Sequence, residues 1–247
     1  MIAPSPYARE REGTQPPYDY PAYTSTIKRH PTRALIEAPH TLSEVTGPTF
    51  DDAWCGPNAA DLTHVDGRAA QAQGQRIIVS GRVLDEAGRP VRGTLVEVWQ
   101  ANAAGRYHHG GDVHDAPLDP NFTGAGHVIT DDQGRYRFLT IRPGAYPWRN
   151  AYNAWRPAHI HFSVFGPSFA TRLITQMYFV GDPLLATDPV FLSIPDAAAR
   201  DRLVAAYDAD NSEAEFALAY RWDIVLRGRL ETPLVRGHAE TNAERAR

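Results

Sequence analysis

Two histidines stand two residues apart in Arg156-Pro-Ala-His-Ile-His-Phe162. Alternate side chains of an extended strand share a face, so His159 and His161 would aim two imidazoles at one point. Such a pair suits one metal ion, since histidine is the commonest metal ligand. It equally suits two histidines hydrogen-bonded on a polar sheet face. Two tyrosines bear on the choice. Tyr107 ends Gln100-Ala-Asn-Ala-Ala-Gly-Arg-Tyr107, and Tyr146 lies in the rigid turn Pro143-Gly-Ala-Tyr-Pro-Trp148, ahead of the histidines. Turn tyrosines are commonly packing residues. A hard trivalent ion would favour phenolate oxygen beside imidazole, and its own field would ionise phenols whose reference pKa is about 10. Two phenolates and one hydroxide balance the charge of such an ion.

These residues need a scaffold, and the pattern around them is that of strands. β-branched runs over residues 76–84, 94–100, 127–130, 135–140, 158–165, 173–180 and 220–227 read as strands. Asp85-Glu-Ala-Gly88 and Asp131-Asp-Gln-Gly134 read as turns, the second as a hairpin signal. Residues 195–208 carry a helical pattern with proline in the first turn, and Thr41-Leu-Ser-Glu44 resembles a capping box. The expected fold is mainly β: a β-sandwich core with short helices and long N- and C-terminal arms. Residues 1–74 form a Pro/Tyr-rich arm and irregular segment that suits packing on a partner subunit. Residues 75–230 are expected to form the sandwich domain, and 231–247 a polar tail.

The bulk numbers exclude several function classes. Net charge is −4 over 247 residues, which gives no electrostatic reason to expect nucleic acid or an anionic membrane as partner. No apolar run reaches the roughly 20 residues of a membrane helix, and the N-terminus has no signal-peptide core. A lone cysteine, Cys55, excludes an internal disulfide framework and reads as a packing residue. The expected location is the cytoplasm. His108, His109 and His114, with Asp112 and Asp115, cluster in a Gly-rich loop that reads as solvated. His30, His40, His64, His127 and His238 lack partners at ligand spacing.

Val79-Ser-Gly-Arg-Val83, Gly88, Val91, Val96-Glu-Val98 and Gly105-Arg-Tyr107, followed by Tyr146 and the His159/His161 pair, resemble the signature of the intradiol ring-cleavage dioxygenases. The likeness runs from about residue 17 to 230. Trp99-Gln-Ala-Asn102, Leu118-Asp-Pro-Asn-Phe122, Tyr146-Pro-Trp-Arg-Asn150 and Leu226-Arg-Gly228 are similar to β-type subunits of the branch that acts on protocatechuate. The resemblance implies non-haem Fe(III) held by Tyr107, Tyr146, His159 and His161. It implies a diol that displaces Tyr146, which takes up a substrate proton, and an Arg156 that stabilises negative charge on the ring. Trp148 and Gln176 would shape the pocket, and Tyr23 would meet the substrate carboxylate. A homologous α-type subunit is the implied partner, in an (αβ)n assembly. Two readings compete: a catechol or hydroxyquinol 1,2-dioxygenase, and a metal-free β-sandwich serving as an assembly or binding subunit.

Overall fold

Among the described residues the chain forms eleven strands. They are β1 (Arg76–Leu84), β2 (Leu95–Trp99), β3 (Ala125–Ile129), β4 (Arg135–Ile141), β5 (Tyr146–Trp148), β6 (Ala154–Arg156), β7 (His159–Val164), β8 (Leu173–Phe179), β9 (Val204–Glu213), β10 (Ala217–Arg221) and β11 (Ile224–Val225). Two short helices, α1 (Pro189–Leu192) and α2 (Ala197–Asp201), follow β8. The computed structural model describes residues 10–28, 30–34, 36, 49–50, 55–56, 58–152, 154–166 and 172–235. The capping-box segment at Thr41 and the residues His40 and His238 lie outside them.

One sheet runs β11-β1-β10-β9-β8-β7-β2-β3, with β4 added on β1, and β5-β6 forms a separate ribbon. The sheet doubles over at β9. The first residues of β9 pair in parallel with Tyr178 and Phe179 of β8, and its later residues pair antiparallel with β10. The two layers close on a shared aromatic core. Phe162 of β7 lies 5.9 Å from both Tyr136 and Phe138 of β4, and 4.8 Å from Trp222 beyond β10. This is the mainly β sandwich that the sequence pattern predicts.

Three expectations need correction. The helix expected over 195–208 stops at Asp201, and the chain from Val204 is a strand. Tertiary pairing overrides local propensity here. Tyr178 N–H donates to Leu203 O at 2.8 Å, Trp222 Nε1 donates to Arg202 O at 2.7 Å, and Ala205 is fully buried. The strand expected over 220–227 breaks at Trp222-Asp223. Gly81 of β1 allows the break, because a Cβ there would lie 1.8 Å from Trp222 O. That carbonyl instead accepts from Tyr136 Oη at 2.6 Å. Thirdly, Asp131–Gly134 is a tight turn with Gly134 at φ 70, but it joins no hairpin ladder. β3 pairs with β2 and β4 with β1, so the turn carries the chain between layers.

Both arms are stitched to the fold where they are described. Thr24 N–H donates to Asn150 O at 2.9 Å, and Ser25 N–H to Asn150 Oδ1 at 2.8 Å. This buries Tyr23 beside Trp148, with ring centroids 5.2 Å apart. At the other end, Val235 N–H donates to Ile174 O at 2.8 Å, so residues 231–235 pack rather than trail in solvent. Gln15 of the N-terminal arm donates to the Glu231 side chain and accepts from Leu234 N at 2.8 Å. Burial, opposed by the Gln15 amide and reinforced by Glu10, pushes the Glu231 carboxyl up to about 7. Between the ordinary 4.5 and that value, the folded chain holds a proton that the unfolded chain has released. Stability must then fall as pH rises through this window and level off above it. Glu231→Gln should flatten that slope in urea midpoints measured across the window. An unchanged slope would assign the effect to other groups.

Candidate metal centre

β7 is buried on both faces, and its alternation divides two jobs. Ile160, Phe162 and Val164 enter the core, leaving His159 and His161 on the opposite face. The register of β8 sets Tyr178 beside His159 and Gln176 beside His161. On the other side, Trp99 at the end of β2 stacks on His161, with centroids 4.9 Å apart and planes 3° from parallel.

The two tyrosines arrive from outside this sheet layer. Tyr107 follows β2, its N–H held by Asp112 Oδ2 at 2.8 Å. Tyr146 opens β5 and pairs there with Arg156 of β6. Tyr146 Oη lies 3.3 Å from His159 Nε2, and Tyr107 Oη lies 3.2 Å from His161 Nε2. The phenol rings meet edge to face at 5.4 Å, and the imidazoles at 4.8 Å. Two phenols and two imidazoles thus converge on one point. Each tyrosine is half-buried, and its hydroxyl is enclosed.

Protonation follows from that enclosure. Burial, reinforced by Tyr146, holds the Tyr107 phenol well above its ordinary range. Burial likewise raises Tyr146, with the Arg156 charge opposing it. Burial and then the Arg156 charge push His161 down to about 3; the same causes, with His161 added, hold His159 well below the usual imidazole range. Both imidazoles are neutral and therefore have a lone pair to give. His159 Nδ1 is 2.7 Å from Pro157 O, so that nitrogen carries the proton and Nε2 faces the phenols. The Gln176 amide nitrogen donates to His161 Nδ1 at 3.3 Å, its oxygen being taken by Arg156, so without an ion the His161 proton sits on Nε2, facing Tyr107. A cation amid these groups would reverse the effect of burial on the phenols. A hard trivalent ion fits this donor set, and Tyr107, Tyr146, His159 and His161 are the residues that could hold it.

Behind the imidazoles lies a buried charge network. Arg156 is 3% exposed, and Asp188 fully buried. Arg156 Nε is 2.7 Å from Asp188 Oδ1, a close ionic contact lying off the line of a hydrogen bond. Its Nη2 donates to Gln176 Oε1 at 2.6 Å and to Tyr178 Oη at 3.1 Å. Burial works against the guanidinium charge, and Asp188 more than restores it. The outer side of Arg156 lies over the Trp148 ring at 5.2 Å, which connects it to Tyr23.

Tyr23, Tyr107, Tyr146, Trp148, Arg156, His159, His161 and Gln176, the eight site residues expected from the sequence, therefore lie in one contiguous region. Asp188 and Tyr178 were missed. Asp188 stands before Pro189 and accepts from Val190 N and Phe191 N, so its sequence signal is that of a helix cap. His108 and His109 are exposed, and His114 packs on Trp155 at 6.3 Å. Among the described residues no cluster of three or more His, Cys, Asp or Glu could hold a metal. Asp188→Ala should destabilise the chain by about 3–5 kcal/mol in urea unfolding, because it strands the buried Arg156 charge. Replacing both residues by apolar ones should recover much of the loss. A single-variant loss below about 1 kcal/mol would mean the pair is solvated.

Residues 45–228 match the family model "Dioxygenase", and residues 7–41 match "Protocatechuate 3,4-dioxygenase beta subunit N terminal". The protocatechuate 3,4-dioxygenase beta chain of Burkholderia cepacia is 57% identical over 223 residues, covering 90% of this chain and 94% of that one. The protocatechuate 3,4-dioxygenase alpha chain of Pseudomonas putida is 32% identical, over 65% of this chain and 76% of that one. The structure of 3-chlorocatechol 1,2-dioxygenase from Rhodococcus opacus 1CP superposes with a TM-score of 0.53 at 25% identity, covering 76% of this chain and 73% of that one. No described helix is long and apolar enough to cross a membrane. A family model matched over residues 45–228 and a relative 57% identical over 90% of the chain place it among the intradiol dioxygenases, on the branch of the protocatechuate 3,4-dioxygenase beta chains.

Proposed function

We propose that this chain is the iron-carrying subunit of an enzyme that opens protocatechuate (3,4-dihydroxybenzoate) with O2 to 3-carboxy-cis,cis-muconate. This would be a step of aromatic-compound catabolism, the β-ketoadipate pathway, in the cytoplasm. The supporting observation is the convergence of two phenols and two neutral imidazoles at 3.2–3.3 Å between facing donors. Ferric iron held by Tyr107, Tyr146, His159 and His161 would supply a Lewis acid for both diol oxygens and make the bound ring reactive toward O2.

The chain's own residues divide the remaining work. Tyr146, a phenolate while it holds the ion, would be the donor that yields to substrate and takes up one of its protons. It sits at the start of a short ribbon strand, where displacement disturbs no core residue. Tyr107 stays, pinned through its N–H by Asp112. His159 stays, with Nδ1–H held by Pro157 O. Arg156 offers fixed positive charge against negative charge developing on the ring, and Asp188 and Gln176 keep it from swinging. Trp148 and Gln176 bound the substrate, and Tyr23 meets its carboxylate.

The likeness to a chlorocatechol enzyme favours a second reading, a catechol or hydroxyquinol 1,2-dioxygenase. The matched beta-subunit N-terminal segment and the seating of Tyr23 against Trp148 weigh for protocatechuate. The similarity to an alpha chain supports a homologous α-type partner in an (αβ)n assembly, enclosing the substrate. The test is O2 uptake by the Fe(III)-loaded chain, alone and with such a partner, on 3,4-dihydroxybenzoate and on catechol. The expected outcome is turnover that needs the partner and prefers the carboxylated diol. Full turnover by the chain alone, with catechol favoured, would discard this assignment for the second reading.

A further inference from the structure

Tyr107 and Tyr146 leave strands that do not pair with each other. Tyr107 follows β2, and Tyr146 follows the turn after β4, which belongs to the other layer. No ladder fixes the distance between their hydroxyls, so something at the two strand exits must. Gln100 makes the first tie: its Nε2 donates to Ile141 O at 2.9 Å and its Oε1 accepts from Thr140 Oγ1 at 2.9 Å.

Asn102 makes the second and uses every polar group it has. Its Oδ1 accepts from Ala104 N at 2.9 Å and Arg106 N at 3.0 Å, winding the turn that delivers Tyr107. Its Nδ2 donates to Pro117 O at 2.9 Å, closing the loop beyond Tyr107. Its own carbonyl accepts from Gly105 N at 3.0 Å and from Gly144 N at 2.9 Å, two residues before Tyr146. The backbones touch there. A Cβ on Gly105 would lie 2.2 Å from Ala145 O, and one on Gly144 would lie 2.4 Å from Ala103 O.

We infer that Asn102 is the positioning residue that sets the separation of the Tyr107 and Tyr146 hydroxyls, by clamping the two tyrosine turns backbone to backbone. An asparagine that winds its own turn is common. The added element is the carbonyl that the wound turn aims at the second tyrosine's turn. The inference rests on the ferric reading of the site, since a metal needs both oxygens at fixed reach.

The test uses the full-length chain loaded with Fe(III), reading retention against a chelating competitor and the visible tyrosinate-to-Fe(III) band. Asn102→Ala should lower Fe(III) affinity by about tenfold or more and shift the band, as loss of an outer support does. Asn102→Asp keeps the Oδ1 acceptor for the turn; a carboxylate oxygen then faces Pro117 O in place of the Nδ2 donor, which lowers stability without removing the turn. It should hold the band near its wild-type position. Should Asn102→Ala not fold, Asn102→Gln, which sets the amide one methylene farther out, is read in its place. Wild-type affinity and band position with only a lowered thermal midpoint would reduce Asn102 to a stabilising turn residue and overturn the inference. A wild-type chain that binds Fe(III) with no tyrosinate band would overturn the ferric reading, and this inference with it.

Discussion

The alternation of β7 is the constraint on which the site depends. One face of the strand supplies Ile160, Phe162 and Val164 to the core, and the other supplies His159 and His161. A slip of one residue would drive both imidazoles into an aromatic core and turn Phe162 toward the phenols. The contacts of Phe162 with Tyr136, Phe138 and Trp222 make such a slip costly, because they join both layers. Packing energy spent on one face thus fixes the chemistry on the other. Nothing comparable holds the tyrosines, which are placed by turns.

Electrostatics then decides what the converged groups can be. Burial keeps phenols protonated and imidazoles neutral, and the Arg156 charge opposes the first effect and strengthens the second. A buried guanidinium needs a counter-charge, and Asp188 provides it. Tyr178 and Gln176 fill the remaining donor and acceptor positions around that pair. The result is a positive group aimed by its partners, beside donors that accept a cation only by giving up phenol protons.

Much of this is legible in the sequence because it is local. The two-residue histidine spacing fixes a shared face once the strand is assigned, and Asp-x-x-Gly turns carry their own side-chain bonds. What is not legible depends on pairing between distant segments. Residues 204–208 continue a helical pattern, yet β8 and β10 offer them ladders that a helix could not use. Trp222 looks like the middle of a strand until Gly81 and Tyr136 claim its carbonyl. Asp188 is 32 residues from Arg156, and its helix-cap role hides its part in the ion pair. The ribbon of β5 and β6, too short for a periodic signal, brings Tyr146 beside Arg156.

The central claim is that Tyr107 and Tyr146 both donate phenolate oxygen to one ferric ion. Resonance Raman scattering from the Fe(III)-loaded chain, excited within its visible absorption, reads this directly. The account predicts tyrosinate ring vibrations enhanced in two sets, one of which disappears in Tyr146→Phe while the other persists. An iron-loaded chain that is colourless, or whose tyrosinate vibrations are unchanged by Tyr146→Phe, would contradict it.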